Sequence, residues 1–307
     1  MPPEQHNLSD SRGNCLGIFF FRAMLKILGP AGTCCFVWFI AFFYALFDRT
    51  ARQAAAPYLS RRFPHAGRLH AWWHFYRLIV CQGQVMILAH WLRSGHQVPI
   101  REEHPERLRA LLLAKDRGLI LLISHVGCWQ AALTYLDTYQ RPVNLLIQAN
   151  ANANIARMFS GQHFKLVDNR SPFGGLLECI AAINRGEIVC IMGDRRADES
   201  ESAIRMPLLG GSIMIPLSPW LLAARCGCAV IPVFTLMRGM ARSIDFYFAE
   251  PIHLDYDLPV KPKNSCFEPS VKKYALELEK IASSFPYQIF HYDTSSAPKS
   301  IQETDNG

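Results

Sequence analysis

Apolar residues fill one long stretch near the amino terminus of the chain. Gly17–Phe47 is almost wholly apolar, and roughly its last 20 residues carry no charge, which is long enough for a helix to cross a bilayer. Gly29, Pro30 and Gly32 weaken a helix near the start of this uncharged run, so a re-entrant or interfacial segment stays open beside a span. The pattern therefore predicts a membrane anchor, with a buried core helix as the alternative.

A basic region follows this apolar stretch. Asp48 is the only acid between residues 48 and 77, whereas six arginines lie there: Arg49, Arg52, Arg61, Arg62, Arg68 and Arg77. Because the cytoplasmic flanks of membrane segments are rich in arginine and lysine, this side of the anchor is predicted to be cytoplasmic. The arginines are expected either to contact anionic headgroups or to form an ordinary solvated basic face. No small-residue cleavage site follows the stretch, so we expect no cleaved signal peptide.

Leu69–Leu92 has the spacing of a long amphipathic helix. His70 and His74 lie four residues apart on it, a spacing that can hold a metal ion. No carboxylate or third ligand is near them in sequence, so both histidines are interpreted as interface residues.

From residue 105 onward, short apolar runs alternate with helical patterns. Continuous apolar runs are typical of buried strands, and six strands are predicted: Gly118–Ser124, Pro142–Gln148, Phe164–Val167, Glu187–Gly193, Ala229–Leu236 and Ile244–Ala249. Helices are predicted over Val126–Tyr135, Ala151–Phe159, Phe173–Asn184, Pro216–Arg225 and Ser270–Ser284. Residues 194–213 are polar and contain glycine, so a long loop is expected there. This alternation predicts the α/β class, with a single mixed sheet covered by helices.

Five segments are expected along the chain. They are a polar amino-terminal tail (1–15), a hydrophobic membrane anchor (16–47), a basic and amphipathic helical region (48–104), one α/β domain (105–292) and a disordered tail (293–307). The length of 307 residues is compatible with one large domain.

Composition narrows the class of protein. Half of the residues are hydrophobic and only 19% are charged, which excludes a disordered chain. The net charge of +7 is too small to indicate nucleic-acid binding, but it suits anionic lipids or an acidic carrier protein. The 10 cysteines include no C-x-x-C pair and mostly lie in apolar runs, so we expect no zinc site, no disulfide framework and a reducing compartment.

Two predicted strand ends carry the residues with chemical potential. Residues 124–130 (SHVGCWQ) follow the first strand, and residues 192–196 (MGDRR) follow the strand at 187–193. Ligands of open α/β sheets bind at the carboxyl ends of strands. His125 is the candidate general base, because it lies between a buried strand and a helix start. The positive helix terminus is expected to lower the pKa of its ring and keep it neutral. The alternative is a structural histidine that caps the turn.

Gly127 is the candidate point of substrate approach in the same loop. A residue without a side chain allows a ligand to come close to the backbone. The N–H groups of this loop and of the helix start are expected to bind a developing oxyanion.

The order of short motifs along the chain resembles the lipid A late acyltransferases, a family that includes the mycobacterial phosphatidylinositol mannoside acyltransferase. Residues 125–130 (HVGCWQ) are similar to its H-x4-D/E motif, and residues 185–195 are similar to its K/R-G-E … D-Q/R block. Three further blocks agree: PLLG at 207–210 with the F-F-G turn, AARCGCAVIP at 223–232 with the helix–strand block, and FPYQIF at 285–290 with the closing P-x-Q-W-F. The resemblance covers nearly the whole chain and implies an α/β fold like that of the glycerol-3-phosphate acyltransferases, preceded by a hydrophobic anchor helix.

One position departs from the family motif. Gln130 stands where the family has Asp or Glu, so it can hydrogen-bond His125 but brings no negative charge. A carboxylate at this point would fix the imidazole tautomer and stabilise the imidazolium. We therefore expect either that another carboxylate supports His125, with Asp194 as first choice and Glu178 as second, or that the chain is slow or inactive. The form HVGCWQ is similar to a predicted-acyltransferase branch of this family.

Three arginines and a tryptophan complete the candidate residues. The resemblance implies that Arg157 binds a phosphate or carboxylate of a substrate, and a surface arginine is the alternative. Arg195 and Arg196 are expected either to bind such a group or to pair with the acids at positions 198, 199 and 201. Trp129 is expected either to line the acyl chain or to belong to the core.

The resemblance implies a membrane-associated acyltransferase at the cytoplasmic face of the bacterial inner membrane. Its donor would be a fatty acyl thioester, with acyl-carrier-protein preferred over acyl-CoA. Its acceptor would be a hydroxyl or amine of a membrane lipid or glycolipid, and an anionic membrane surface would be a further partner. No metal, no tightly bound cofactor and no nucleic acid is expected. The alternative is a catalytically weak or inactive membrane-bound protein that binds lipid or the acyl carrier on the same scaffold.

Overall fold

The described part of the chain begins with three helices and continues as an α/β domain. The computed structural model describes residues 15–113, 117–147, 164–170, 172–196, 200–254 and 263–290. Its α-helices within these ranges are α1 (Cys15–Phe47), α2 (Arg49–Arg62), α3 (Arg68–Arg93), α4 (Pro105–Leu113), α5 (Gln130–Leu136), α6 (Leu176–Asn184), α7 (Ser218–Cys226) and α8 (Glu268–Ser284). The helix expected over Ala151–Phe159 and the tail expected after residue 292 lie outside the described residues.

One mixed sheet forms the centre of the domain, as the sequence predicted. The strands of the described ranges are β1 (Ile100–Glu103), β2 (Leu119–Ile123), β3 (Val143–Ile147), β4 (Phe164–Asp168), β5 (Ile188–Met192), β6 (Ala203–Leu208), β7 (Gly211–Pro216), β8 (Val230–Arg238) and β9 (Ser243–Phe248). Seven of them form a sheet in the order β1-β9-β8-β2-β5-β3-β4, and β6 and β7 form a separate hairpin. Strands β8, β2, β5, β3 and β4 run parallel, and β9 runs antiparallel to β8.

The two central strands explain why continuous apolar runs in the sequence indicated strands. All five residues of β2 are buried, as are the first four of β5. Strands in the middle of a parallel sheet are covered on both faces, so each position must be apolar and no polar alternation remains. Because these strands run parallel, their carboxyl ends share one edge of the sheet, and this edge carries the candidate site.

Three elements differ from the sequence-based prediction. The loop expected over residues 194–213 contains the β6–β7 hairpin, whose register pairs Arg205 with Met214 and Leu208 with Gly211. Strand β1 pairs with β9, so the sheet begins at Ile100, before the expected domain start at residue 105. Helix α5 begins at Gln130 rather than at Val126, because the preceding residues bond to other chain segments.

Helix α1 is kinked and packs on α3 along one side. The kink lies at Gly29, whose φ of 66° is followed by Pro30. Beyond the kink the buried side consists of Cys34, Val37, Ala41 and Ala45, and the opposite side exposes Phe39, Phe42, Phe43, Leu46 and Phe47. Hydrogen bonds from Tyr76 Oη to the Trp38 carbonyl, at 2.8 Å, and from Trp72 Nε1 to the Ala45 carbonyl, at 3.3 Å, fix α1 on α3. Within the described residues, α1 is the helix that is long and apolar enough to cross a membrane.

The basic region is used partly for internal contacts. Arg52 donates to the carbonyls of Ala45 and Leu46 at the end of α1, and Arg62 donates to the Ser283 carbonyl at 2.8 Å. Arg49 and Arg68 are exposed. Arg52 and Arg62 therefore bind the protein's own backbone, and contact of the exposed arginines with headgroups stays a prediction.

The two histidines of α3 have different surroundings. His74 stacks on Phe63 with ring centroids 3.7 Å apart, whereas His70 is exposed. The residues that the structure describes contain no group of three or more His, Cys, Asp or Glu side chains placed to hold a metal ion. His74 is thus an interface residue of the helical region, as the sequence analysis predicted.

Candidate active site

His125 and Asp194 meet because they follow neighbouring strands. β2 and β5 are paired in parallel, and their last residues, Ile123 and Met192, are register partners. Each candidate residue lies two positions beyond its strand, so both reach the same edge of the sheet although 69 positions separate them in sequence. The topology therefore brings together the first-choice pair of the sequence analysis.

Asp194 holds His125 at two points. Its Oδ1 lies 3.0 Å from the ring Nδ1, and its Oδ2 accepts the main-chain N–H of His125 at 2.7 Å. An ionised carboxylate can only accept hydrogen bonds, so Nδ1 carries the proton and Nε2 keeps its lone pair. The Asp194 side chain is 4% exposed and that of His125 is 29% exposed. The Asp194 carboxylate is thus shielded from solvent, whereas the His125 side chain is partly accessible.

The net pKa of His125 is raised, not lowered. Burial disfavours the imidazolium and Arg195 opposes it too, but the charge and hydrogen bond of Asp194 outweigh both, so the pKa rises above its ordinary 6.5. The expectation of a pKa lowered by a helix terminus is therefore wrong. Helix α5 begins at Gln130, five residues after His125, so its positive end is not the dominant influence on the ring.

Gln130 does not take the place of the missing carboxylate. Its side-chain oxygen accepts a weak hydrogen bond from Cys128 Sγ at 3.9 Å. Within the described part of the chain it makes no hydrogen bond to His125. The charge that the family motif would supply at position 130 comes instead from Asp194, on the neighbouring strand.

The backbone of the loop after β2 is already bonded to protein. The N–H groups of Val126, Gly127 and Cys128 donate to the carbonyls of Ser124, Gln288 and Thr235, respectively. Gly127 has φ 56°, and a Cβ there would overlap the Thr235 carbonyl oxygen. Gly127 is therefore required for close packing of two backbones, and the prediction that substrate approaches the backbone there is wrong. The N–H groups of residues 126–128 are already bonded, so an oxyanion site at the helix start stays a prediction.

Comparison with known proteins decides the family. The family model described as "Bacterial lipid A biosynthesis acyltransferase" matches residues 75–255, more than half of the chain. The chain belongs to the bacterial lipid A biosynthesis acyltransferases. It is accordingly an acyltransferase of lipid biosynthesis, with an acyl donor and a lipid acceptor. The chain is also similar to the crystal structure of the 1-acyl-sn-glycerophosphate (LPA) acyltransferase PlsC from Thermotoga maritima, with 13% identity, a TM-score of 0.37 and coverage of 80% of this chain and 94% of that one. No curated protein sequence matches the chain.

The other candidate residues of this acyltransferase differ in their burial and in their contacts. Arg195 is exposed and close enough to His125 to oppose its protonation. Trp129 is half-buried and packs against the hydrophobic core. Glu178 lies in α6, where one carboxylate oxygen is buried without a partner among the described residues, and it does not contribute to the His125 pKa. Arg157 lies outside the described residues.

Three residues of the acyltransferase site were not recognised from the sequence. The Ser124 and Tyr274 hydroxyls lie 2.8 Å apart, and both residues are buried. Burial is the main cause that raises the pKa of Tyr274, and the negative charge of Asp194 raises it further. Gln288 holds the loop that carries His125. A glutamine inside the closing FPYQIF block was the one available signal, since nothing in the sequence connects position 274 to position 124.

Cys128 is the cysteine closest in sequence to His125. It is fully buried, and burial raises the pKa of its thiol to about 12. A thiol that does not ionise is a poor nucleophile. Cys128 therefore behaves as a small apolar residue beneath the loop.

Proposed function

We propose that the protein transfers a fatty acyl group from an acyl thioester to a hydroxyl or amine of a lipid or glycolipid, with His125 as general base. The observation that carries this proposal is the double contact of Asp194 with His125, at 3.0 Å to Nδ1 and 2.7 Å to the backbone N–H. In this tautomer Nε2 keeps the lone pair that proton abstraction from an acceptor requires.

The reaction follows from this tautomer. Nε2 of His125 takes the proton of the acceptor hydroxyl or amine as the acceptor oxygen or nitrogen attacks the thioester carbonyl carbon. Asp194 stabilises the imidazolium that forms. The tetrahedral intermediate collapses with cleavage of the carbon–sulfur bond, and the imidazolium returns its proton to the departing thiolate. The products are the acylated lipid and the free carrier thiol.

Arg195 is the proposed ligand for a negatively charged substrate group or for the oxyanion. It is exposed, makes no ion pair within the described residues and already influences the His125 ring. Guanidinium groups bind phosphate and carboxylate in planar, two-point geometry. Arg157 remains a predicted second anion ligand, and Trp129, which is half-buried, is the proposed contact for the acyl chain.

Acyl-carrier-protein is the proposed donor. The chain has a net charge of +7, with 32 Lys and Arg against 25 Asp and Glu, which suits an acidic carrier protein. A comparison of the same acyl chain on acyl-carrier-protein and on CoA tests this choice. A higher kcat/KM for the carrier that disappears at high salt supports it, whereas equal values identify acyl-CoA as a sufficient donor.

The proposed location is the cytoplasmic face of the bacterial inner membrane, with α1 as the anchor. Its buried side is held by α3, so the exposed side is the one available to lipid, and Phe39 and Phe47 on it are 60% and 76% exposed. Phe43→Glu/Phe47→Glu should reduce sedimentation with vesicles that contain anionic lipid. Leu113→Glu, at an exposed leucine of α4, is the matched control. Unchanged sedimentation of the double variant in high salt means that another surface holds the protein.

The catalytic proposal is tested with His125→Ala. The purified variant should fold normally and lose the formation of acylated lipid and free thiol from an acyl thioester. His70→Ala, at an exposed histidine, should retain both. Turnover at the wild-type level in folded His125→Ala would refute the role of His125. An inactive wild type that still binds acyl carrier or lipid would favour the non-catalytic alternative, which Gln130 alone had suggested.

A further inference from the structure

The loop that carries His125 is held by a segment from the other end of the chain. Val126 forms an antiparallel bridge with Ile289, and the Gly127 N–H donates to the Gln288 carbonyl at 2.8 Å. The Phe290 N–H donates to the His125 carbonyl at 2.9 Å. Residues 286–290, the carboxyl-terminal strap, thus bond to the main chain of the base itself and of its neighbour.

The Gln288 side chain fastens this strap to the sheet. Its Oε1 accepts the Met237 N–H and its Nε2 donates to the Met237 carbonyl, each at 2.9 Å. The residue is 7% exposed, so solvent cannot readily replace either bond. One residue therefore connects β8 through its amide group and the His125 loop through its carbonyl.

The amino-terminal helices contact the other side of the strap. Tyr58 of α2 donates its hydroxyl to the Pro286 carbonyl at 2.7 Å. The Tyr287 hydroxyl lies 2.8 Å from Nδ1 of His74 in α3. Burial, together with neighbouring positive charges, lowers the pKa of His74, so its neutral ring can accept this hydrogen bond. The guanidinium of Arg77 lies 4.9 Å from the Tyr287 ring centre and 5.8 Å from that of Trp38 in α1.

We propose that the carboxyl-terminal strap positions His125 against Asp194, with Gln288 as the positioning residue, and that α2 and α3 hold the strap in place. This inference rests on the proposed role of His125 as the base. The base and its carboxylate follow neighbouring strands, and the loop between β2 and α5 is bonded to Thr235 of β8 and to the strap through Gln288 and Phe290. Without the strap, the loop would keep the bond from Cys128 to Thr235 and lose two of its main-chain partners.

Gln288→Glu tests the strap with the smallest change of shape. The carboxylate can still accept the Met237 N–H, but it has no donor for the Met237 carbonyl and brings a charge into a buried position. Gln97→Glu, at an exposed glutamine between α3 and β1, is the matched control with the same change of charge.

The decisive measurement is the titration of the His125 ring. NMR of histidine labelled at Cε1 in the full-length protein follows all 11 histidines, and His125→Ala identifies the His125 signal. In Gln288→Glu the loop should move away from Asp194, so the pKa of His125 should fall toward 6.5 even though the charge of the new carboxylate favours the imidazolium, whereas the His125 pKa of the control should stay at the wild-type value. Turnover should fall by at least about tenfold in kcat, with a smaller change in KM, because the loss concerns the alignment of the base rather than substrate binding.

The possible outcomes separate the strap from the proposed function. A folded Gln288→Glu protein with a wild-type His125 titration overturns the strap proposal, whatever its activity. If Gln288→Glu does not fold, Tyr58→Phe/Tyr287→Phe, which removes two outer hydroxyls and keeps both rings, must shift the His125 pKa in the same direction, and an unchanged pKa overturns the proposal. If the wild type transfers no acyl group, the proposed function fails, but the NMR titration still decides whether the strap positions His125.

Discussion

Asp194→Asn is the substitution for which the structure predicts the largest loss with the least change of shape. Each carboxylate oxygen of Asp194 accepts one N–H of His125, from the ring at 3.0 Å and from the backbone at 2.7 Å. An amide has only one oxygen, so it cannot satisfy both donors in either orientation. With its oxygen toward the backbone, its NH2 group meets Nδ1 and stabilises the tautomer that has a proton on Nε2. With its oxygen toward the ring, its NH2 group faces the backbone N–H.

The expected loss in kcat follows from the two orientations of the new amide group. The first removes the basic lone pair from Nε2, and the second leaves two buried donors facing each other with Asp194 only 3% exposed. A corresponding carboxylate-to-amide change in a serine protease triad costs about 10⁴ in kcat, which corresponds to about 5.5 kcal/mol of barrier. We expect a loss of about 10³ to 10⁴ in kcat here, since acyl transfer by a bound acceptor uses the same proton step.

The assay is the release of carrier thiol from an acyl thioester in the presence of lipid acceptor. Asp245→Asn is the matched control, because Asp245 is a buried carboxylate, 4% exposed, that pairs with Arg238 on strands β9 and β8. Thermal unfolding of both variants shows whether each one folds. Gln130→Glu should leave kcat unchanged or lower it, because two carboxylates near one imidazole repel each other and raise a carboxyl pKa. A folded Asp194→Asn protein within tenfold of the wild-type kcat would refute the reasoning.

Two further predictions concern pH and the loop. The kcat/KM of the wild type should rise with pH through a midpoint above 6.5, because the base must be neutral and Asp194 raises its pKa. The same shift means that the His125–Asp194 pair stabilises the fold fully below the unfolded pKa and that this contribution is lost as the pH rises through the folded pKa. A midpoint at or below 6.5 would contradict both statements. Gly127→Ala should destabilise the protein by about 2 kcal/mol or more, because φ is 56° and the new Cβ overlaps the Thr235 carbonyl, and an unchanged Tm would contradict this packing.

The sheet was largely predictable from the sequence, and its exceptions have physical causes. Central strands such as Leu119–Ile123 are covered on both faces and are therefore continuous apolar runs. The edge strand Ile100–Glu103 carries three charged residues, and its first two residues are exposed. It therefore does not appear as a continuous apolar run. The hairpin of β6 and β7 pairs only with itself in the described sheets, and its Pro207, Gly210, Gly211 and Pro216 are residue types that are typical of a loop.

The residues that the strand topology places at the site were predictable, whereas the roles that depend on tertiary contacts were not. His125 and Asp194 follow buried strands, so the rule for strand ends sufficed to make them the first choice. The pKa direction of His125 was wrong because the helix start lies at Gln130 and the carboxylate lies closer than the helix end. The roles of Gly127 and Gln288 depend on a contact between positions 127 and 288 that no local pattern contains.

The buried thiol and hydroxyl beside the base have a kinetic consequence. Cys128 has a pKa of about 12 because of burial, and the Ser124 hydroxyl is 2% exposed and bonded to Tyr274, so neither can accept the acyl group from the donor. Since no acyl-enzyme forms at these two residues, we expect direct transfer, with donor and acceptor bound at the same time. Initial-rate plots at several acceptor concentrations should then give intersecting lines, as in a sequential ternary-complex mechanism, and not the parallel lines of a ping-pong reaction.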